Sequence, residues 1–493
     1  MRWSALVAAA PLVACGADPE RSRSRAQAQA RAAARTAGVS PRAVTPVNLE
    51  LVTLTETSAV ITWYTGVPGT DDGLRRMVPA PSDGQVVYGT DPARLTRVAH
   101  SAPGTPYHYV ELADLEPGRT YFYRATSGGK AATATPFTIA AGNAVGTAPV
   151  RVAAGQGGPF AFTTPQPPPG RFLFSIALCN DLHLGEKVAG LTSAIKTIKG
   201  VAQVPGRPLY PEVMAEGLVA EAKARGATYL LAAGDIASEA APVDLGRARA
   251  LLDGFGGYER DYFVARGNHD RAHAGAAYAA CRPGQWQGYD CFRDDFFGGQ
   301  GPAYFSRDLN GLHVVGLDTY DKAGNGGDAG GLSAAQQAWL TADLRAHRDR
   351  PTLVFGHHPL VVTGSPFPSG PGSALDAAQA SALLASYAAT PGVFLHHAGH
   401  THRNRRTVSP TAPGVVLQEV AATKEYPGGF SLLRVHTGGY ALNFYKSRSD
   451  GCREWSERSR QEIVGLWPQF ALGSRVTDRN SMVRRDLSGL RPR

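Results

Sequence analysis

Two kinds of hydrophobic pattern divide the chain. Between about residues 46 and 162, short segments such as NLELVTL and TYFYRATS alternate apolar with polar residues and are rich in β-branched and aromatic side chains. Alternation with a period of two, interrupted by turn residues, is typical of strands with one buried face. Several such strands in succession indicate an all-β sandwich. We place this domain at residues 43–166.

From Phe172 the pattern changes to short, continuously apolar segments, such as FLFSIALC, TYLLAA and PTLVF, with helix-like segments between them. Buried strands that alternate with helices predict an α/β domain. The Pro-rich segment TTPQPPPGR (residues 163–171) marks the boundary before it. We place the second domain at residues 170–447 and treat residues 448–493 as a C-terminal extension.

The N-terminal segment reads as a targeting signal. One arginine, a short apolar run and small residues, MRWSALVAAAPLVAC, predict a secretory signal peptide over residues 1–16. The ending LVAC resembles the lipobox of bacterial lipoproteins, which would make Cys15 the lipidated first residue, whereas ordinary cleavage nearby would discard it. Residues 17–42 have no apolar stripe and predict a disordered tether. We therefore expect an exported protein, either a cell-envelope lipoprotein or a secreted one.

Composition and charge change this picture little. The chain of 493 residues is 43% hydrophobic and 18% charged, which is ordinary for a globular protein. Much of its net charge of +9 comes from arginines near the two ends, so we predict no specific nucleic-acid partner. Beyond the signal peptide we predict no membrane-spanning helix, so membrane contact would come only through a lipid anchor. Cys281 and Cys291 flank a Gly-rich loop and could pair in an oxidising compartment.

Side chains that can bind metal ions follow five of the apolar segments. In chain order these are Asp181 and His183, then Asp235, then Asn268, His269 and Asp270, then His357 and His358, and then His400 and His402. Since sites in open α/β sheets form beyond the carboxyl ends of the strands, we expect these side chains to converge. Oxygen and nitrogen donors without sulfur suit Mn, Fe or Zn. Their number exceeds the needs of one tetrahedral site, so we predict two ions.

Local backbone features support this convergence. Four glycines precede donors and are expected to let each loop turn tightly. They are Gly234, Gly267, Gly356 and Gly399. In the triplets DLH and HTH we expect extended backbone, which would point both outer side chains towards the same side.

The ordered set D-x-H, G-D, G-N-H-D, G-H and G-H-x-H resembles the calcineurin-like metallophosphoesterase family, over about residues 172–446. The resemblance implies two β-sheets flanked by helices, with the metal ions between segments that follow the strands. It assigns Asp181, His183 and His402 to the first metal, Asn268, His357 and His400 to the second, and Asp235 to a bridging position. It places His269 beside the phosphate, where it either donates a proton to the leaving oxygen or stabilises the transition state.

The first domain resembles the N-terminal domain of purple acid phosphatases, and LADLEPGRTYFYRA resembles the tyrosine corner of fibronectin type III domains, with Tyr121 as the corner residue. Two departures separate the second domain from purple acid phosphatases. Their G-D-x-x-Y motif supplies a tyrosinate for ferric iron, whereas this chain has Ser238 at that position. Their D-x-G is here D-x-H, so we do not expect a purple ferric enzyme.

The resemblance therefore implies an exported binuclear enzyme that hydrolyses phosphomonoesters or phosphodiesters by attack of a metal-bridged hydroxide. The partner would be a small-molecule phosphate ester. Two alternatives stay open: a cyclic-nucleotide or nucleotide phosphodiesterase, and a surface-binding protein built on an inactive phosphoesterase scaffold. Arg271 and Tyr426 are predicted as substrate contacts, and Asp270 as the residue that orients His269.

Overall fold

The structure is a computed structural model that describes residues 43–134, 158–190, 200–271, 273–274, 287–299, 301–322, 327–363, 372–462 and 468–493. The predicted signal peptide and tether, together with Cys15, lie outside these residues. So does Cys281, the suggested partner of Cys291, while Cys291 itself is disulfide-bonded. Among the helices of the described ranges, none has the length and apolar character needed to cross a bilayer.

The N-terminal domain is built from two facing β-sheets. Its strands are β1 (Thr45–Leu54), β2 (Ala59–Val67), β3 (Val78–Pro79), β4 (Gln85–Gly89), β5 (Arg97–His100), β6 (Tyr107–Leu112), β7 (Thr120–Ser127), β8 (Lys130–Ala131) and β9 (Phe160–Thr163). One sheet contains β1, β2, β3 and β6, and the other contains β4, β5, β7, β8 and β9. The alternating residues of both sheets meet in one apolar core that includes Trp63, Val86 and Val110.

The tyrosine corner predicted from the sequence is present. The ring of Tyr121 is 2% exposed, and its hydroxyl oxygen accepts a hydrogen bond from the backbone N–H of Glu116 at 2.9 Å. Leu115 is buried beside it. Tyr121 therefore stabilises the sandwich and is not available to a ligand.

The second domain contains two six-stranded sheets and a set of helices. Its strands, with the strand of the C-terminal extension, are β10 (Phe172–Cys179), β11 (Val188–Ala189), β12 (Val201–Ala202), β13 (Tyr229–Ala233), β14 (Tyr262–Ala265), β15 (His273–Ala274), β16 (Gln287–Tyr289), β17 (Phe305–Leu309), β18 (Leu312–Gly316), β19 (Thr352–Phe355), β20 (Val393–Ala398), β21 (Arg405–Ser409), β22 (Ala412–Glu419), β23 (Gly429–His436), β24 (Gly439–Lys446) and β25 (Asn480–Arg484). The helices are α1 (Tyr210–Ala224), α2 (Pro242–Asp253), α3 (Cys291–Phe297), α4 (Ala334–Ala346), α5 (Ala377–Ala388), α6 (Asp450–Ser459) and α7 (Pro468–Ala471).

The first large sheet has the strand order β14-β13-β10-β23-β24-β25, and the second has the order β17-β18-β19-β20-β22-β21. Within the first, β10, β13 and β14 are parallel, and within the second, β18, β19, β20 and β22 are parallel. Apolar residues of both sheets, such as Leu230 and Phe355, share one core, so the sheets pack face to face. Helices α1 and α2 cover the first sheet, and α4 and α5 cover the second. The predicted α/β class, two sheets flanked by helices, is confirmed.

The C-terminal extension is an integral part of this domain. Strand β25 pairs antiparallel with β24, from Asn480 opposite Asn443 to Arg484 opposite Gly439. Helix α6 packs on α1, and the side chain of Trp455 is 4% exposed. The residues after Lys446 therefore complete the first sheet and one flank of the domain.

The N-terminal sandwich packs against the first large sheet through specific polar contacts. The hydroxyl of Thr53 donates to the carbonyl oxygen of Phe444 at 2.6 Å. The guanidinium of Arg434 donates to both oxygens of Glu56 at 2.6 Å each. Glu50 is buried at the same junction, where Lys446 Nζ lies 2.6 Å from its Oε2. The two domains are thus joined by buried ion pairs as well as by apolar packing.

Glu50 makes the stability of the protein depend on pH. Burial raises the pKa of Glu50, but the charges of Lys446 and Arg460 outweigh it and lower the pKa from 4.5 to about 2. Because the folded pKa lies below the unfolded one, the stabilisation is complete above pH 4.5 and is lost as the pH falls towards 2. At ~1.4 kcal/mol per pKa unit, the loss is on the order of 3 kcal/mol. We expect urea unfolding of the Glu50→Gln variant to depend less on pH over this range.

The control for this measurement is Glu56→Gln, which removes a more exposed carboxylate from the same junction. Its unfolding is expected to keep most of the acid dependence of the unmodified protein. Equal acid dependence in the Glu50→Gln variant and the unmodified protein would contradict the role of Glu50.

Candidate metal centre

The predicted donors lie at one edge of the two facing sheets. Each follows the carboxyl end of a parallel strand: Asp181 and His183 follow β10, Asp235 follows β13, Asn268 follows β14, His357 follows β19, and His400 and His402 follow β20. Since parallel strands place their carboxyl ends on the same side, the connecting segments meet there. The structure therefore brings the seven predicted ligands together.

The first cluster consists of Asp181, His183 and His402. The Nε2 atom of His402 lies 3.1 Å from Asp181 Oδ1, and the Nε2 atom of His183 lies 3.7 Å from the same oxygen. Asp181 is fully buried, and its other oxygen, Oδ2, accepts a hydrogen bond from the backbone N–H of His400 at 3.1 Å. One carboxylate oxygen and two imidazole nitrogens thus face a common point.

The second cluster contains Asp235, His357 and His400, with Asn268 beside them. The Nε2 atom of His357 lies 3.0 Å from Asp235 Oδ2, 3.1 Å from Asn268 Oδ1 and 3.2 Å from His400 Nδ1. Asp235 Oδ2 is also 3.4 Å from His183 Nε2 of the first cluster. Asp235 therefore lies between the two clusters, where a bridging carboxylate would have to be.

Each of the four histidines is held by the ring nitrogen that faces away from the centre. His183 Nδ1 lies 3.0 Å from Glu186 Oε2, His357 Nδ1 donates to Ala233 O at 2.8 Å, His400 Nε2 donates to Gly372 O at 2.6 Å, and His402 Nδ1 donates to Glu425 Oε1 at 2.6 Å. Partners of this kind fix the orientation of a metal-binding imidazole and leave its second nitrogen free to coordinate. The rings are therefore oriented before any ion binds.

The backbone geometry of the two triplets differs from the extended conformation expected from the sequence. Asp181 and His183 have φ values of 51° and 47°, and His400 and His402 have values of 68° and 49°. Asp235 is also left-handed, at 51°. Non-glycine residues rarely adopt this region, and residues held there are concentrated at functional sites. The side chains converge because both outer residues of each triplet turn in the left-handed sense.

The glycines act mainly by allowing close approach. Gly234 has a φ of 80° and so supports the expected tight turn. Gly267 is required for a different reason, which is close packing. A Cβ atom there would lie 2.1 Å from Asp235 Oδ1 and 2.3 Å from the Asp235 backbone nitrogen. The missing side chain at Gly267 lets the loop after β14 pack directly on the proposed bridging residue.

The donor set fits metal ions. The buried Nε2 atom of His183 has no hydrogen-bond partner among the described residues and lies 3.4 Å from Asp235 Oδ2 and 3.7 Å from Asp181 Oδ1, a costly arrangement unless a cation binds between them. Burial raises the pKa of Asp181, but the charge of His402 outweighs it and holds the pKa well below its usual value, so this carboxyl is an anion. Oxygen and nitrogen donors without sulfur match the ions predicted from the sequence.

His269 lies beside the clusters with one ring nitrogen restrained. Its Nδ1 donates to the carbonyl oxygen of Ser238 at 2.7 Å, and its backbone N–H donates to Asp235 Oδ1 at 2.8 Å. Its ring centroid lies 4.5 Å from that of His183. With Nδ1 occupied, Nε2 is the atom of His269 that can exchange a proton. Burial lowers the pKa of His269, which favours the neutral ring.

The expectation that Asp270 orients His269 is wrong. The carboxylate of Asp270 accepts hydrogen bonds from the backbone N–H groups of Ile236, Ala237 and Gly267 at 2.9–3.0 Å. It therefore joins the loop after β13 to the loop after β14. The carbonyl of Ser238 restrains His269 instead.

The structure contradicts the substrate contact predicted for Tyr426. Its ring is 2% exposed, and its hydroxyl donates to Glu50 Oε1 at 2.5 Å in the N-terminal sandwich, so it cannot reach a substrate. For Arg271, the second predicted contact, the structure shows a buried guanidinium 3.4 Å from Asp328 Oδ1. Asn268 Nδ2 donates to the same oxygen at 3.3 Å, so Arg271 adjoins the second cluster and its contact with phosphate stays a prediction.

Sequence reasoning missed three charged residues of the site. Glu425 and Glu186 hold the rings of His402 and His183, and Lys424 Nζ lies 2.9 Å from Glu425 Oε2 and 2.6 Å from Glu186 Oε1. Burial raises the pKa of Glu425, but the charges of Lys424 and His402 outweigh it and lower the pKa to about 2. Their spacing along the chain does not indicate these contacts, although Glu425 directly precedes Tyr426, which the sequence predicts as a substrate contact.

The remaining histidines near the clusters have structural partners. His358 bonds to Thr319 Oγ1 at 2.7 Å and to the carbonyl of Asp328, which supports His357 as the ligand of that pair. A further group, His313, Asp343 and His347, lies on β18 and around the C-terminal end of α4. His313 Nε2 lies 2.7 Å from Asp343 Oδ2, and His347 Nδ1 donates to the backbone carbonyl of Asp343 at 2.9 Å. The two imidazole rings stack with their centroids 3.9 Å apart, so one nitrogen of each ring is already used in a structural contact.

Comparison with family models identifies both domains. Residues 174–404 match the model of the calcineurin-like phosphoesterases. The second domain is a calcineurin-like phosphoesterase domain. Residues 44–140 match the purple acid phosphatase N-terminal domain, so the resemblance proposed for the sandwich is also confirmed. The likeness to fibronectin type III domains stays a prediction. Together with the donor clusters described above, the match over residues 174–404 makes the protein a metallophosphoesterase with residues suited to two metal ions.

Solved structures similar to this phosphoesterase include a dimetal phosphatase from Danio rerio, with 17% identity and a TM-score of 0.41, covering 55% of this chain and 96% of that one. The purple acid phosphatase PPD1 from yellow lupin seeds has 13% identity and a TM-score of 0.37, covering 82% and 73%. The structure of PhoD has 11% identity and a TM-score of 0.34, covering 82% and 85%. No curated protein matched the chain significantly.

Proposed function

We propose that this phosphoesterase is exported and hydrolyses phosphomonoesters or phosphodiesters at a centre of two transition-metal ions. The position of Asp235 carries the proposal, because one of its carboxylate oxygens lies 3.0 Å from His357 and 3.4 Å from His183, within reach of both clusters. The proposed export rests on the sequence of residues 1–16, which has the pattern of a secretory signal peptide. Fractionation of expressing cells tests that part.

The side chains of the two clusters would hold the ions in fixed positions. Asp181, His183 and His402 would bind the first ion, and Asn268, His357 and His400 the second. When bound, the ions supply Lewis acidity that polarises the phosphoryl oxygens and lowers the pKa of a coordinated water. Glu186 and Glu425 keep the imidazoles of the first cluster oriented for that task.

His269 would act on the leaving group. The carbonyl of Ser238 keeps the ring in one orientation, with the hydrogen on Nδ1, so that Nε2 faces the cleft. The neutral ring carries its hydrogen on Nδ1, so Nε2 would first take up a proton, and the resulting imidazolium could pass that proton to the oxygen of the departing alcohol. Its backbone N–H meanwhile holds Asp235 Oδ1, which ties the ring to the proposed bridging carboxylate.

Metal removal is the direct test of the proposal. We expect purified protein to hold two equivalents of Mn, Fe or Zn, and dialysis against a strong chelator to remove the ions and the activity together. Adding back one of these ions should restore turnover of p-nitrophenyl phosphate or of bis(p-nitrophenyl) phosphate, measured by nitrophenolate release. The ratio of the two rates distinguishes a monoesterase from a diesterase.

Two results would contradict the proposal. Metal-free protein that keeps its turnover would show that the clusters do not serve catalysis. Protein that binds two ions and hydrolyses neither ester with any of the three metals would support a binding function on an inactive scaffold.

A further inference from the structure

The segment Thr423–Gly428, here called the support loop, lies against the first metal cluster. The backbone N–H of Thr423 donates to the carbonyl of Asn180 at 3.0 Å, and that of Lys424 donates to the carbonyl of Asp181 at 3.2 Å. The loop also carries Glu425, whose carboxylate accepts from His402 Nδ1 at 2.6 Å. A shift of the support loop would therefore move the ring of His402.

The other side of the support loop is held by helix α6 of the C-terminal extension. The indole N–H of Trp455 donates to the carbonyl of Lys424 at 2.8 Å, and the hydroxyl of Ser456 donates to the carbonyl of Pro427 at 2.9 Å. The backbone N–H of Tyr426 donates to Ser459 Oγ at 2.8 Å. These contacts fix the backbone of the loop, and Arg460, just after α6, lies over the ring of Tyr426, but the hydroxyl of Tyr426 is bound by a different element.

That element is strand β1 of the N-terminal sandwich. The hydroxyl of Tyr426 donates to Glu50 Oε1 at 2.5 Å. Glu50 also pairs with Lys446 at the end of β24 and with Arg460 just after α6. A single buried carboxylate of the N-terminal domain thus contacts the support loop, the first large sheet and the C-terminal extension.

We propose that Glu50 is a positioning residue of the first metal site. It acts through Tyr426, which fixes the support loop; the loop places Glu425, and Glu425 orients His402, whose Nε2 lies 3.1 Å from Asp181 Oδ1. The N-terminal sandwich would then contribute to metal affinity without touching metal or substrate. This inference rests on the assignment of Asp181, His183 and His402 as metal ligands proposed above.

The test measures zinc affinity by competition with a chromophoric chelator in the full-length protein. Glu50→Gln removes the charge from the junction, and Tyr426→Phe removes only the hydroxyl, which keeps the test valid if the first variant fails to fold. We expect each to weaken one of two zinc equivalents by about tenfold, the lower end of the range for partners of metal ligands. The second equivalent should keep its affinity.

Glu56→Gln is the matched control, because it breaks an ion pair between the same two domains that does not contact the support loop. It should leave both zinc affinities unchanged. A His402→Ala background identifies the affected site, since Glu50→Gln should weaken zinc binding no further once His402 is gone.

Three outcomes would overturn the inference. Wild-type affinity for both ions in Glu50→Gln and Tyr426→Phe would show that the junction does not reach the metal site. An equal loss in Glu56→Gln would assign the effect to domain packing in general. Unmodified protein that binds no zinc would remove the metal assignment itself, and this inference with it, whereas the first two outcomes leave that assignment standing.

Discussion

Replacing Asp235 with asparagine is expected to remove both metal ions and the phosphoesterase activity together. The substitution keeps the size of the side chain and an oxygen that can accept from the backbone N–H of His269. It removes the negative charge and the oxygen that lies 3.0 Å from His357 and 3.4 Å from His183. We expect metal affinity to fall by more than about 10²-fold and turnover to fall by at least about 10²–10³-fold. Elemental analysis and nitrophenolate release measure the two losses.

Asp343→Asn is the matched control for this experiment. It removes a largely buried carboxylate from the group formed with His313 and His347, away from the proposed centre. The control should keep both ions and full turnover. Asp235→Asn protein that retains two ions at wild-type affinity would show that Asp235 does not bridge them.

Replacing His269 with alanine is expected to leave the metal content intact and to reduce turnover by about 10²–10⁴-fold. His269 is outside the proposed ligand set, and its Nε2 is the atom placed to exchange a proton, since its Nδ1 donates to Ser238. The loss should depend on the leaving group. A nitrophenolate is a stable anion and departs without a proton, whereas the alcohol of an alkyl phosphate needs a proton in order to depart. Alkyl phosphates should therefore lose more activity than p-nitrophenyl phosphate.

This dependence separates the two roles that the sequence left open for His269. An equal loss for both substrates would favour stabilisation of the transition state over proton donation. Full turnover of both substrates would exclude His269 from the reaction, and loss of an ion in the variant would instead make it a ligand.

The sequence predicts those parts of the molecule whose structure depends on residues that are close together along the chain. The alternation in β1 and β7 is visible locally, and so is the apolar run of β10 that ends just before Asp181. The rule that sites form beyond the carboxyl ends of parallel strands then brings the donors together without further knowledge of the fold.

The parts that could not be predicted depend on contacts between distant segments. Glu425 lies 2.6 Å from His402 because two loops meet, and the spacing of these two residues along the chain does not indicate the contact. Asp270 looks like a partner for the neighbouring His269, yet its oxygens serve backbone groups of another loop. The left-handed conformation of the ligand residues is strain that the surrounding packing enforces, so local preferences predict the opposite.

The contribution of helix α6 to the support loop has a consequence for the order of events during synthesis. Domains generally begin to fold as they leave the ribosome, the N-terminal one first. The sandwich and most of the strands can assemble early, but Trp455, Ser456 and Ser459 emerge after every proposed ligand. A nascent chain that already exposes all seven donors would thus lack the α6 contacts that hold the support loop against His402. Tight ion capture would be delayed until helix α6 has also been translated.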